Sequence, residues 1–298
     1  MVRIAMVGDP GAGGTTVLGL LYATQVRQTA AEGSSFRFHV APSSMPQVGA
    51  AFEQLQTGEF PARTAGASSG PIEFLFEPHP SLASSLRGRW LHGRSRPNEA
   101  RRIAWTRAAF SDLRAHVASG GFPTEGDRQL EGADVLAVLV PPPEGAGPGG
   151  LTGPERDDAL AQTVSAARTP RPTGATPSTA VAFIFTMLDR LSDARRKELG
   201  LPGSLAERVP AEGRESIGLR LVRESLPKTA GLVGSGGPTD RVGRIPPQFF
   251  FSWVETEPSA PNRPRLRASP GGGWEPVYPF EEYVALISAC DAWAGGLE

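Results

Sequence analysis

Apolar positions fall along this chain in short blocks whose period switches between continuous, alternating and helical. Val2 to Val7 is a nearly continuous apolar run, and Val135 to Val140 and Thr179 to Thr186 repeat the pattern. Such runs suit strands buried on both faces of a parallel sheet. Ser35 to Ala41 alternates, and Pro71 to Glu77, Arg102 to Thr106 and Gln248 to Val254 complete the strand candidates. Between them, 45–57, 108–118, 155–168, 190–199, 212–226 and the stretch carrying Phe280, Tyr283, Val284 and Ile287 show helical spacing. Gly231 to Pro247 and Glu255 to Pro276 read as loops. Strands alternating with helices predict an α/β fold: a doubly wound, mostly parallel sheet of about six strands with helices on both faces. A single domain over 1–298 is expected, with Pro/Gly-rich insertions near 78–101, 141–154, 168–178, 231–247 and 255–276. Ligands of such folds sit at the carboxyl ends of the strands.

The first strand end is where chemistry is expected. Gly8 to Gly14 cannot continue a strand, Thr15 or Thr16 can cap a helix, and Val17, Leu18, Leu20 and Leu21 continue as one. Strand, glycine turn and helix frame a phosphate-binding loop of the form G-x-x-x-x-G-K-[ST]. Gly8, Gly13 and Thr15 fall in register, with Asp9 and Gly11 between them, but Gly14 stands at the lysine position. Glycines still allow an anion nest ahead of a helix N-terminus, and Thr15 can offer its hydroxyl to Mg²⁺. Losing the lysine removes a charge-assisted contact worth about ten- to a hundredfold in affinity. Arg63 and Arg107 are the candidates to reach phosphate in its place.

Composition narrows the class. Gly 36 and Pro 29 mark a loop-rich chain, and a net charge of −1 argues against a nucleic-acid or membrane surface built on bulk charge. Only Lys197 and Lys228 are lysine, so few are present to replace the missing one. Cys290 is the only cysteine, and the histidines are scattered without ligand spacing, which excludes an intrachain disulfide and a Cys-based metal cluster. No apolar run is long enough to span a bilayer. The expectation is a soluble, cytoplasmic protein without membrane insertion.

These stations together resemble a Ras-like P-loop GTPase domain, of the larger bacterial TRAFAC "double-GTPase" type found in conflict-system operons. Gly58-Glu59-Phe60-Pro61-Ala62-Arg63-Thr64 is similar to that family's switch-I string, and the resemblance makes Thr64 a sensor of γ-phosphate and Mg²⁺; a surface-turn role is the alternative. The switch-II Asp-x-x-Gly belongs between residues 102 and 112 and is absent. Thr186-Met187-Leu188-Asp189 resembles the base-recognition [NT]-K-x-D with Met187 for the lysine. Asp189 would then pair with guanine, or else cap a helix over 190–199. Ser252-Trp253 stands where the family has a small Ser-Ala loop.

The resemblance implies GTP or GDP with Mg²⁺ as ligands. Gly8, Asp9, Gly11, Gly13, Gly14, Thr15, Thr16, Thr186, Asp189 and Ser252 would hold the nucleotide, and Thr15 and Thr64 the metal. Both signature lysines and the switch-II acid are missing, a pattern that fits a pseudo-GTPase. The expected function is a guanine-nucleotide-binding regulatory or scaffolding protein with weak or no hydrolysis, whose partner is another protein such as an operon neighbour. The alternatives are an active P-loop NTPase using an Arg or a partner-supplied cation, and a nucleotide-free interaction module on the same scaffold.

Overall fold

The computed structural model describes residues 1–9, 11–29, 36–61, 71–78, 101–109, 133–142, 153–168, 179–203, 207–234, 246–269 and 272–296. Arg63, Thr64, Pro10, the helix expected beyond residue 109 and most of the four insertions expected between 78 and 247 lie outside them.

A seven-stranded sheet forms the centre. Its strands are β1 (Val2–Gly8), β2 (Phe36–Val40), β3 (Ile72–Pro78), β4 (Arg101–Ala109), β5 (Val135–Val140), β6 (Ala180–Phe185) and β7 (Gln248–Phe251), in the order β2-β3-β4-β1-β5-β6-β7. From β4 to β7 every pairing is parallel; β2 and β3 run antiparallel to their neighbours. The sheet thus holds seven strands, where about six were expected.

Seven helices are described: α1 (Gly14–Thr29), α2 (Met45–Gln56), α3 (Gly153–Arg168), α4 (Asp193–Leu199), α5 (Ala211–Ser225), α6 (Pro227–Gly234) and α7 (Phe280–Gly296). They cover both faces because the central strands are apolar on both. In β1, Ile4 and Met6 join the core under α1, α2 and α7, whereas Ala5 and Val7 join the core under α3, α4, α5 and α6. β5 and β6 are buried at every position, as strands between two helical layers must be. The doubly wound α/β architecture is therefore present.

Four local expectations change. Residues 256–276 carry two antiparallel ribbons in place of a loop: β8 (Thr256–Glu257) with β9 (Ala260–Pro264), and β10 (Leu266–Ala268) with β11 (Trp274–Pro276). Their strands are too short for a period to show. β4 runs on through Ala108 and Ala109, both expected in a helix, because it pairs with β1 as far as Gly8. The loop expected from Gly231 begins as the end of α6, whose start Pro227 takes a cap from outside. Buried Asp157 of α3 accepts the N–H groups of Lys228 (2.7 Å) and Thr229 (2.9 Å) and the Thr229 hydroxyl (2.8 Å), a carboxylate at the positive end of the helix dipole. Finally, α1 begins at Gly14, so neither Thr15 nor Thr16 precedes it as a cap.

α5 lies unusually close to β7. A Cβ added at Gly218 would overlap the Phe249 side chain at three atoms. Gly218→Ala should therefore cost roughly 1–3 kcal/mol, the usual penalty of overpacking. A urea-unfolding midpoint equal to the unsubstituted protein's would show that the helix can retreat.

Candidate functional site

The carboxyl ends of β4, β1, β5, β6 and β7 share one edge of the sheet. β1 leads into α1 on one face, and β5 beside it leads toward α3 on the other. The chain thus winds in opposite directions on either side of the β1–β5 gap, the switch point where α/β sheets open a crevice. Gly8 ends β1 beside that gap, so the glycine turn stands at its mouth.

The turn closes with a hydrogen bond from the Ala12 N–H to the Asp9 carbonyl (2.9 Å). Gly11 and Gly13 both sit at φ 90°, a backbone state that side chains resist. The first helical bond of α1 runs from the Val17 N–H to the Gly13 carbonyl (2.9 Å). Gly14, Thr15 and half-buried Thr16 therefore form the first turn, whose N–H groups have no helical acceptor and point out of the helix start. Helix starts in general favour negative charge. Gly14, at the lysine position, does not have a positive φ, and a Cβ there would meet only the tips of Leu139 and Met6 at 3.2 Å. The backbone does not forbid a side chain at that place.

Two arginines flank the turn, one from each face. Arg107 lies opposite Met6 in the β1–β4 register, on the face of Trp105 that looks toward α1. Its Nη1 donates to Thr15 Oγ1 at 2.9 Å. Burial lowers its pKa from the ordinary value, but a guanidinium stays charged throughout the working range. Of the two arginines expected to replace the lysine, Arg107 thus reaches the loop, and Arg63 lies outside the described residues. On the other face the Asp9 carboxylate forms an ion pair with Arg156, in the first turn of α3, with side chains only 6% and 9% exposed. Sequence reading missed Arg156. Its signal was a cation in the first turn of a helix, the wrong sign for the helix dipole unless an anion is near.

The end of β6 packs onto the same turn. The Thr186 hydroxyl donates to the Ala12 carbonyl at 2.8 Å, and the Thr186 and Met187 side chains lie against Gly13. Met187 has φ 58°, the only positive φ outside glycine among the described residues. Such a state costs about 1–2 kcal/mol in a non-glycine residue, and strain of this kind gathers at binding sites. A 3-10 turn over Leu188–Arg190 follows and holds Asp189. Burial, ahead of every other cause, pushes the Asp189 carboxyl up to about 6. The helix after it starts at Asp193 and is capped by Ser192, whose hydroxyl accepts the Arg195 N–H at 3.2 Å. Asp189 is therefore not the cap of that helix.

Ser252 stands apart from these groups in its bonding. Its hydroxyl is buried and shared with the Tyr283 hydroxyl of α7 at 2.5 Å, and Trp253 is buried in the second core. In the stretch from Gly58 on, Gly58 and Glu59 close α2 through bonds to the carbonyls of Leu55 (3.2 Å) and Gln54 (2.9 Å), and Phe60 packs on the first core. Thr64 lies beyond the described part.

Of the two residues at which the resemblance implies Mg²⁺, Thr15 is described and Thr64 lies outside the described residues. The Thr15 oxygen already accepts a cationic donor. Among the described residues no group of three or more His, Cys, Asp or Glu is placed to hold a metal, and no helix is long and apolar enough to cross a membrane. No protein-family model matches this chain, and no curated protein matches it at a significant level.

Proposed function

We propose that this protein is a degenerate Ras-like P-loop protein that binds a guanine nucleotide through the Gly8–Thr16 turn and acts as a regulatory or scaffolding partner of another protein, with little or no hydrolysis. The observation that carries the reading is the Arg107 guanidinium on Thr15 at the mouth of a glycine turn on the central strand. It supplies positive charge beside a loop that has lost its lysine. Thr186 and Met187, packed on Gly13, couple the phosphate turn to the Asp189 station, as a nucleotide spanning both would need. Weak hydrolysis follows from chemistry: transition-state charge on the outer phosphates lacks the Gly14-position cation, and the sequence between residues 102 and 112 carries no Asp-x-x-Gly.

Titration of the purified chain with a fluorescent guanine nucleotide tests this, with saturation as the expected result. Gly14→Lys should tighten binding about ten- to a hundredfold by restoring a charge-assisted contact to phosphate. A chain that does not saturate at high micromolar nucleotide, and is unchanged by Gly14→Lys, carries only the scaffold. The Arg107 contact also favours a second reading, an active NTPase with this arginine as its cation. Phosphate release decides that, and a rate untouched by Thr15→Ala counts against it.

A further inference from the structure

The β10–β11 ribbon meets the last turn of α1 at one carboxylate that serves two arginines. Oε1 of Glu275, in β11, accepts Nε of Arg267, in β10, at 2.7 Å. Nη1 of Arg27, in α1, stands 3.8 Å from the same oxygen, too far for a hydrogen bond. Arg27 Nη1 and Arg267 Nη2 are both shut off from solvent without a hydrogen-bond acceptor. Buried donors left in this state call for a further acceptor, a water or an ion. Two guanidiniums on one carboxylate also leave a positive charge in excess. We propose that this seam is an anion site, in which Arg27 and Arg267 take a phosphate-sized oxyanion alongside Glu275. The acid lies beneath, its side chain 5% exposed, whereas those of Arg27 and Arg267 are 30% and 33% exposed. Each guanidinium therefore turns one edge to Glu275 and another to solvent, and such edges match the oxygens of phosphate in pairs. Arg27 is held in place beforehand, its Cζ lying 4.1 Å from the centre of the Phe280 ring, so binding has less side-chain motion to freeze. Two residues before Arg267, Arg265 repeats the layering, 51% exposed over Glu255 at 26%. The site is distinct from the glycine turn. Gly14 starts α1 and Arg27 lies in its last turn, about 20 Å away along the helix. The proposal therefore goes beyond the nucleotide reading and does not depend on it.

Calorimetric titration of the full chain with inorganic phosphate, chloride holding the ionic strength constant, tests this. A saturable isotherm is expected, weaker about ten- to a hundredfold in Arg267→Gln. No saturation overturns the site. So does a Kd that Arg267→Gln leaves unmoved; the phosphate then sits elsewhere, and the glycine-turn reading stands. Where Arg267→Gln does not fold, Arg27→Gln is read in its place, with the same loss expected and an unmoved Kd overturning the site. Glu275→Gln separates a binding site from a purely structural cluster. It removes the competing acceptor, so phosphate should bind about tenfold tighter and raise the thermal midpoint by more than in the unsubstituted chain. A Glu275→Gln protein that is destabilised and not recovered by phosphate makes the cluster a structural tie alone and overturns the proposal.

Discussion

Glu282→Ala should lower stability by about 3–5 kcal/mol, the usual cost of removing one partner from a buried ion pair. Glu282 is 1% exposed and lies in the first turn of α7. Its two oxygens take Arg214 Nη1 (2.7 Å) and Nη2 (2.5 Å), together with the N–H groups of Val209 (2.9 Å) and Phe251 (3.3 Å). Arg214, from α5, also donates to the carbonyls of Phe249 (3.0 Å) and Val209 (3.1 Å). One carboxylate therefore ties a helix of the first face to a helix of the second around the end of β7. Truncation leaves a buried guanidinium without its counter-charge and two buried N–H groups without acceptors. In thermal unfolding the midpoint should fall by on the order of 10 °C, taking about 2–4 °C per kcal/mol for chains of this scale. Arg214→Met combined with Glu282→Leu should recover part of the loss but not all, because the backbone donors stay unpaired. A single-variant loss under about 1 kcal/mol would mean that water satisfies these groups and that the tie is not structural.

The layout of the sheet could be read from the chain because its central strands obey a rule that is local. β1, β5 and β6 are covered on both faces, so almost every position had to be apolar, and such runs stand out. The ribbons β8 to β11 could not be read, since strands of two to five residues give no period. α6 was hidden for a different reason: its capping group is the Asp157 carboxylate of another helix, and nothing at Leu226 or Pro227 announces it. The site divides in the same way. Glycine spacing marked the turn, and the scarcity of lysine pointed to Arg63 and Arg107 as replacements. Placing Arg107 on the turn needed the register of β4, which a five-residue reading of that strand did not contain. Arg156 pairs with an acid at the far end of the sequence, so only the fold brings its role into view. The part that was legible depends on neighbours along the chain, and the part that was not depends on neighbours across it.

Asp189→Asn should stabilise the protein near neutral pH and at the same time abolish any preference for guanine. The carboxyl titrates at about 6 in the fold, against an ordinary 3.8, because burial disfavours its charged form. Between those values the folded chain keeps a proton that the unfolded chain has released. Stability therefore falls as pH rises from about 4 to about 6, and above that the whole cost remains, at most roughly 3 kcal/mol for a shift of this size. Asparagine has the same shape and no charge to desolvate, so its advantage should be present at pH 7 and gone at pH 4 in parallel urea titrations. A carboxylate that costs the fold this much suits a site awaiting donors. Guanine's N1–H and amino group are two such donors, and their paired contact is lost when the acceptor becomes an amide. Guanine affinity of the unsubstituted chain should likewise weaken as pH drops through about 6, where the carboxyl takes up its proton. The two readouts separate the roles. A variant that gains stability and keeps its discrimination between guanine and adenine nucleotides would make Asp189 a mere turn residue, and a variant less stable at pH 7 would remove the burial argument itself.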